Sequence, residues 1–474
     1  MKVAVQLQEI ESQLTPFNVY NHVKDQPFSF ILDSRLNEES LGRYSFVGSQ
    51  PFAIFKSKGK KIYLWQREEG ERELEGNPFY VLQEYINSFE LISEIPQDVP
   101  PFTGGAVGYF GYDLGEQIED LPGESLDDLQ LPDCYLAFYE KVYAYDHLLN
   151  KSYLFALGLS KDEKEARDMA VQNMKELYKE ISNISYRKPE ESYTNYNDNR
   201  RKAETKSNFS FEQYCQIVAK AKEYIAAGDI YQVNLSQRFE TSLDISPLDL
   251  YIKLRTINPA PFASFLNFDE VAIASASPER FLSLTGKKVE TRPIKGTRPR
   301  GSNSVEDEKM KNELLNSEKD RAELVMIVDL ERNDLGRVCM PGTVKVPELI
   351  VLETYATVFH LVSTVEGILP PDKDIIDILL ASFPGGSITG APKIRSMEII
   401  DELEGVKRNV YTGSIGYISF NGNVDLNIVI RTFVIKNNRV YFQVGGGIVA
   451  DSVPEKEYQE TLDKAKALVE SLGL

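Results

Sequence analysis

The chain of 474 residues carries three cysteines, three histidines and one tryptophan. No apolar run approaches the roughly 18 residues a membrane span needs. Cys134, Cys215 and Cys339 are odd in number, widely spaced and without a CxxC pair. That excludes a disulfide framework and a zinc–thiolate cage. None has the strand-to-helix context with a nearby histidine that a glutaminase nucleophile requires. His22, His147 and His360 are too scattered for a histidine-rich metal site. Basic residues are the scarcer sign: 53 Lys and Arg against 72 Asp and Glu leave a formal charge of −19. Neither nucleic acid nor an anionic membrane is therefore expected as main partner. No signal-peptide stretch opens the sequence, so a cytoplasmic, reduced protein is the expectation. The strings GxxxxGK[ST] and GxGxxG are missing as well, which disfavours ATP or NAD chemistry.

What is present is 42% hydrophobic residues and 26% charged ones, enough for a large core. Residues 1–186 hold aromatic and β-branched runs broken by turn residues, such as "YSFVGSQPFAIFKSKGKKIYLW"; their alternation reads as half-buried strands. A helix is expected at 162–184. Residues 187–207 are polar and nearly free of aliphatic side chains, the composition of a linker or loop. From 208 to 474, helices such as 210–227 mix irregularly with strands such as 271–276, 428–435 and 439–444. The irregular order favours α+β with antiparallel sheets over a doubly wound parallel fold.

Two segments place acids at helical spacing. In "SEKDRAELVMIVDLERND", Asp320 and Glu323 are three apart and followed by five apolar residues, so the helix reads as mostly buried and its acids need partners. In "DSVPEKEYQETLDKAKALVESL", Ser452 and Glu455 have capping-box spacing, while Glu457, Glu460 and Lys464 share one face. A solvated helix face and a magnesium site built from few carboxylates both fit that spacing. Glycine-rich "FPGGSITGAPK" and "QVGGGIVADS" precede expected helices, and their backbone N–H groups could hold an anion. In "ETRPIKGTRPRG", Lys295 sits among basic neighbours. An exposed lysine is the plain alternative. The chemical one is a nucleophilic amine whose pKa is lowered by like charges on Arg292, Arg298 and Arg300.

The strings "GDIYQVNLSQRF", "ASPERF", "RPIKGTRPRG", "AELVMIVDLERNDLG", "FHLVS", "PGGSITGAPKIRSMEIID", "YTGSIGY", "NIVIRT" and "GGGIVADSVPEKEYQET" occur in this order from 228 to 461. Together with "ILDSR", "GRYSFVG" and "FTGGAVGYFGYD" they resemble the chorismate-utilising enzymes, a family that includes the anthranilate and aminodeoxychorismate synthases. The resemblance implies an α+β fold, a large antiparallel β-sandwich of two subdomains with helices outside, and chorismate between the subdomains with Mg²⁺. It implies metal ligation by Glu323 and Glu460, with Asp320 and Glu457 near the ion. Arg431, Tyr411, Lys464 and the N–H groups of Gly445, Gly446 and Gly447 match the substrate carboxylate site. Ser387, His360 and Thr297 match positions around the ring.

Lysine at 295 resembles the family members that aminate chorismate at C4; those that aminate at C2 and release pyruvate carry alanine there. Isochorismate-forming relatives use a lysine to activate water where this chain has Gln232, which cannot act as that base. The expected course is attack of Lys295 on the ring, with Glu279 protonating the departing hydroxyl. Ammonia from a separate glutamine amidotransferase subunit then completes amination at C4, towards 4-aminobenzoate and folate. C2 amination and a tryptophan-binding regulatory pseudoenzyme remain the alternatives. Asp33, Ser34, Tyr44 and Pro261 resemble segments that form a tryptophan site.

Overall fold

Alternation in the N-terminal region becomes strands: Ala53–Lys58 buries every second residue and pairs antiparallel with Lys61–Gln66. The helix expected at 162–184 spans Glu163–Ser182, its N-terminus capped by Asp162 accepting from the Glu165 N–H. The one expected at 210–227 spans Phe211–Ala227, with a Ser210–Gln213 capping box and a left-handed Gly228 at φ 85°. Only Gly tolerates that conformation cheaply, so the helix stops there. The computed structural model describes residues 1–34, 41–186, 205–355 and 358–473. Most of the polar 187–207 segment lies outside the described residues; Lys206–Ser207 forms a short strand beside Gln232–Ser242.

Two sheets dominate. The first, of thirteen strands, runs from Lys206–Ser207 through Gln232–Ser242, Arg439–Ile448, Thr432–Lys436, Ala272–Ser277 and Phe262–Asn267. It continues into the N-terminal strands Ser29–Asp33, Tyr44–Gly48, Lys141–Asp146, Lys151–Ser160 and Lys2–Ile10. The second, of twelve, runs from Ile294–Pro299 and Val358–Ile368 through Lys288–Arg292, Arg280–Thr285, Val424–Asn427 and Ser414–Ser419. From there it passes into Gly105–Phe110, Cys134–Tyr139 and Ala53–Lys58. Pairings between the described strands are antiparallel except Lys2–Ile10 against Glu90–Leu91, and an isolated bridge between Leu126 and Val406 is also parallel. Both sheets therefore draw strands from residues 1–186 and from residues 208–474.

A core rich in aromatics joins the sheets, with Phe30 and Phe46 from the first meeting Tyr109, Tyr139 and Tyr417 from the second. The Phe30 and Tyr139 rings are 4.6 Å apart, one of several contacts each worth about 0.5–1.5 kcal/mol beyond burial. Among the described residues no helix is long and apolar enough to cross a membrane.

Of the stretch expected as one strand at 428–435, only 432–435 is strand. Val424–Asn427 belongs to the second sheet and Thr432–Lys436 to the first, so 428–431 carries the chain from one sheet to the other. Ala272–Ser277 and Arg280–Thr285 make the reverse crossing through Pro278 and Glu279. The crossings bind each other: Ile428 N–H donates to Glu279 O at 3.0 Å, and Ala276 N–H to Arg431 O at 3.1 Å. The capping box expected at Ser452 and Glu455 does not form. Val453 is the N-cap of Pro454–Leu472 and makes no side-chain cap bond. Ser452 turns inward instead, its Oγ accepting the Val449 N–H at 3.1 Å.

Candidate active site

The crossings place Glu279 and Arg431 side by side between the sheets. Arg431 sits at φ 52°, a left-handed conformation that costs a non-glycine residue about 1–3 kcal/mol and persists only where surroundings impose it. Around them lies a cavity of about 180 Å³, which also meets Lys295, Thr297, His360, Ser387, Tyr411, Gly445 and Lys464. Residues from seven motifs spread along the sequence thus converge on one space.

Lys295 owes its aim to Gly296. The register of Ile294–Pro299 against Val358–Ile368 shifts between Lys295 and Thr297. Gly296 has φ +77°, and a Cβ there would lie 2.9 Å from Asp320 Cβ. Only glycine permits both the turn and the approach of the Glu318–Gly336 helix. The Lys295 amine donates to Ser387 O at 2.9 Å. Burial pushes its pKa down, while Glu323 and Glu279 oppose the shift and Lys464 aids it. The expected cause, like charge on three flanking arginines, is corrected. Arg292 pairs with Glu348 and Glu353, Arg298 with Glu313 and Asp320, and Arg300 with Asp307. Desolvation lowers this lysine; its arginine neighbours are neutralised.

Glu279 is 4% exposed. Burial raises its pKa, against the Ser387 hydrogen bond and the Lys295 charge, which suits a proton donor. Burial and the nearby Arg431 charge drop His360 to about 3, so its ring is neutral. Its Nδ1 lies 2.9 Å from Thr297 Oγ1, and its buried Nε2 has no partner among the described residues. Gln232 is fully buried, and both amide atoms likewise lack partners. It packs on Gly447, where an added Cβ would come 2.4 Å from Nε2.

Sequence reading missed five polar residues that line the same cavity: Asn234, Ser236, Arg408, Thr412 and Gln443. Arg408 is 3% exposed and donates to Asn234 O at 2.8 Å and Ile388 O at 3.1 Å, with Glu404 Oε1 at 2.6 Å. A lone arginine in "VKRNVYTG" gives no periodic signal of burial; the acid four residues earlier was the available hint.

None of the expected metal residues, Glu323, Glu460, Asp320 and Glu457, lines the cavity itself; Lys464, which does, links Glu460 to it. Lys464 Nζ contacts Glu460 Oε1 and Gly445 O, each at 2.8 Å. Burial would raise the Glu460 carboxyl, but Lys464, Lys319 and Lys295 pull it below the usual range. Burial raises Glu323, with Asp320 and Glu460 adding to the shift. Burial also raises Glu457, eased by Ser452. Asp320 is bound by Arg298 at 3.1 Å. Among the described residues no group of three His, Cys, Asp or Glu is placed so that it could hold a metal ion. The donor set fits an open site instead. Gly446 leaves a gap where a Cβ would sit 3.3 Å from Glu460 Oε1 and 3.6 Å from Glu457 Oε2. Mg²⁺ takes one or two carboxylates and completes its shell with water or substrate oxygen.

The residues expected for tryptophan gather elsewhere. Asp33, Tyr44 and Pro261 line a second cavity of about 750 Å³, also between the sheets. Asp33 Oδ2 accepts from Arg255 Nε at 2.7 Å and Tyr251 OH at 3.1 Å. Buried Ser34 donates its N–H to Ser45 Oγ.

The family described as chorismate binding enzyme matches residues 9–470, and the chain belongs to it. An anthranilate synthase component 1 of Acetivibrio thermocellus is 42% identical, covering 97% of this chain and 92% of that protein. An aminodeoxychorismate synthase component 1 of Escherichia coli is 41% identical, covering 96% and 95%. The crystal structure of anthranilate synthase component I from Streptococcus pneumoniae superposes with a TM-score of 0.79 at 33% identity, covering 96% of this chain and 97% of that one.

Proposed function

We propose that the chain is an aminodeoxychorismate synthase component I, which converts chorismate and ammonia to 4-amino-4-deoxychorismate. The observation that carries the reading is the Lys295 amine inside the cavity, desolvated, held by Ser387 O and facing the same space as Glu279. In the first step the neutral amine attacks ring C2. The conjugated double bonds shift, and the C4–oxygen bond breaks as Glu279 gives its proton, so water departs. In the second step ammonia attacks C4, the double bonds shift back, and the bond between C2 and the lysine nitrogen breaks. Glu279, left as carboxylate, takes the proton from the new C4 nitrogen. Splitting one displacement into two is what a lysine nucleophile contributes.

Arg431, Tyr411 and the backbone of Gly445 to Gly447 orient the substrate carboxylates. Neutral His360 and Thr297 fix the ring through hydrogen bonds. Gln232 supplies no base for water, which keeps hydroxide from competing. Glu323 and Glu460 would hold Mg²⁺, with Asp320 and Glu457 beside them; the bound ion neutralises substrate and protein carboxylates together.

Amination at C2 with loss of pyruvate is a second reading, favoured by the anthranilate synthase relative at 42% identity. Product identity separates the two. Purified protein with chorismate, magnesium and ammonium should yield 4-amino-4-deoxychorismate by mass and absorbance; anthranilate with pyruvate would overturn the assignment. Glutamine should not replace ammonium unless an amidotransferase subunit is added, since Cys134 and Cys339 are buried and Cys215, on a helix, is raised in pKa by burial.

A further inference from the structure

A buried acid outside the cavity bears directly on its two reacting side chains. Glu331 lies on the inward face of the Glu318–Gly336 helix, in register with Leu324, Ile327, Val328 and Leu335, and is 2% exposed. A leucine would suit that stripe. Its Oε1 accepts the Gly386 N–H at 3.1 Å, and its Oε2 has no partner among the described residues. The neighbouring cation is already committed: Lys393 Nζ bonds Asp334 Oδ2 at 2.5 Å and Ser382 O at 2.7 Å.

Gly386 begins the short turn that carries Ser387. A Cβ on Gly386 would lie 2.7 Å from Leu330 Cδ2 and 3.0 Å from Glu331 Oε1, so the turn is pressed onto this helix. Ser387 O accepts from Lys295 Nζ at 2.9 Å and from Asn234 Nδ2 at 2.8 Å, while the Ser387 side chain bonds Glu279.

We propose that Glu331 is a positioning residue: it anchors the Gly386–Ser387 turn, and through that turn sets the nucleophilic amine and the proton donor against each other. The inference rests on the lysine mechanism proposed above. Burial first, then Asp334 and Glu279, raise the Glu331 pKa, against Lys393 and the Gly386 N–H. The group is held as a neutral acid, so a carboxamide reproduces its acceptor.

Glu331→Gln and Glu331→Leu test this, with Glu331→Met replacing the leucine variant if that fails to fold. Each folded enzyme is mixed with chorismate and magnesium without ammonia, and the rate of adduct formation on Lys295 is followed by mass. Steady-state kcat and KM for chorismate are then measured with ammonium. The leucine variant should form the adduct about 10- to 100-fold more slowly, the range expected for a displaced reacting group. Its kcat should fall in parallel while KM changes little, and the glutamine variant should recover most of the rate. Parent-like adduct formation and kcat in the leucine variant, whatever its melting temperature, would reduce Glu331 to core filling. A glutamine variant as slow as leucine would overturn the role of the acceptor. If the parent itself forms no adduct, the lysine mechanism fails. Because Ser387 also holds Glu279, the kcat comparison of the two variants then decides the Glu331 proposal alone.

Discussion

In the cavity around Asp33, charges are matched. Arg255 holds Asp33 at 2.7 Å, Arg43 holds Asp146 at 2.7 Å, and Arg280 lies 3.0 Å from Asp425 and 2.8 Å from Glu290. In the cavity around Lys295 the matching is incomplete: Arg408 pairs with Glu404 at 2.6 Å and Lys464 with Glu460 at 2.8 Å, but the central cations stand apart. Among the described residues neither Lys295 nor Arg431 has an ion pair within 4.0 Å, and His360 Nε2 and the buried Gln232 side-chain amide have no hydrogen-bond partner. Both spaces lie between the same sheets. The first resembles a built interior, where buried charges must be compensated. The second keeps desolvated groups unmatched, a cost that persists only where a ligand supplies the partners. That contrast separates a site of chemistry from a space that can at most bind.

The largest effect should come from the unmatched cavity. Glu279→Gln removes the proton donor and should lower the amination rate by about 10²–10⁴-fold; a rate near the parent's would remove Glu279 from the mechanism. The pH profile follows from two shifts. Glu279, raised by burial, must be protonated, so rate is lost as pH rises through its pKa. Lys295, lowered by burial, must be neutral, so rate is lost as pH falls through its own. A bell is expected, and Glu279→Gln should erase its alkaline limb.

Next come the expected metal residues. Glu460→Gln should reduce magnesium-dependent turnover by at least about 10- to 100-fold, with far-ultraviolet circular dichroism unchanged. Full activity of that variant in excess chelator would contradict the metal site.

The matched cavity should respond in stability. Asp33→Asn removes the carboxylate charge from the buried pair with Arg255, a loss of about 3–5 kcal/mol, read by urea unfolding. Turnover per folded molecule should change little; a large fall in kcat without destabilisation would invert the comparison.

The smallest effect concerns ligand binding there. We expect tryptophan to bind near Asp33 and Tyr44 without altering which product forms. Calorimetry that detects no heat at millimolar tryptophan would leave that cavity without its expected occupant.

Much of this was legible in the sequence because periodicity and motif order report burial. The N-terminal strands followed from 2-residue alternation, and the antiparallel α+β class from the irregular order of helices and strands. Site membership followed from resemblance, and Glu279, Lys295, Thr297, His360, Ser387, Tyr411, Arg431, Gly445 and Lys464 do share one cavity. Three features escaped for identifiable reasons. The run through Ile428–Arg431 is apolar because it crosses between two sheets, so composition alone read it as one strand. Ser452 had the spacing of a cap but bonds back to Val449, a competition that short polar side chains often win. Glu331 was visible as an acid on an apolar helical stripe, yet no local pattern reports that the Gly386 N–H arrives from 55 residues away.

The central claim is that Lys295 becomes covalently bound to the ring. The most direct test withholds ammonia from the purified enzyme with chorismate and magnesium, then measures the mass of the peptide containing Lys295. The account predicts that this peptide gains chorismate less one water, that ammonium discharges it to 4-amino-4-deoxychorismate, and that Lys295→Ala neither gains mass nor aminates C4. An unmodified peptide in the parent, with a Lys295→Ala enzyme still making 4-amino-4-deoxychorismate at the parent rate, would contradict it.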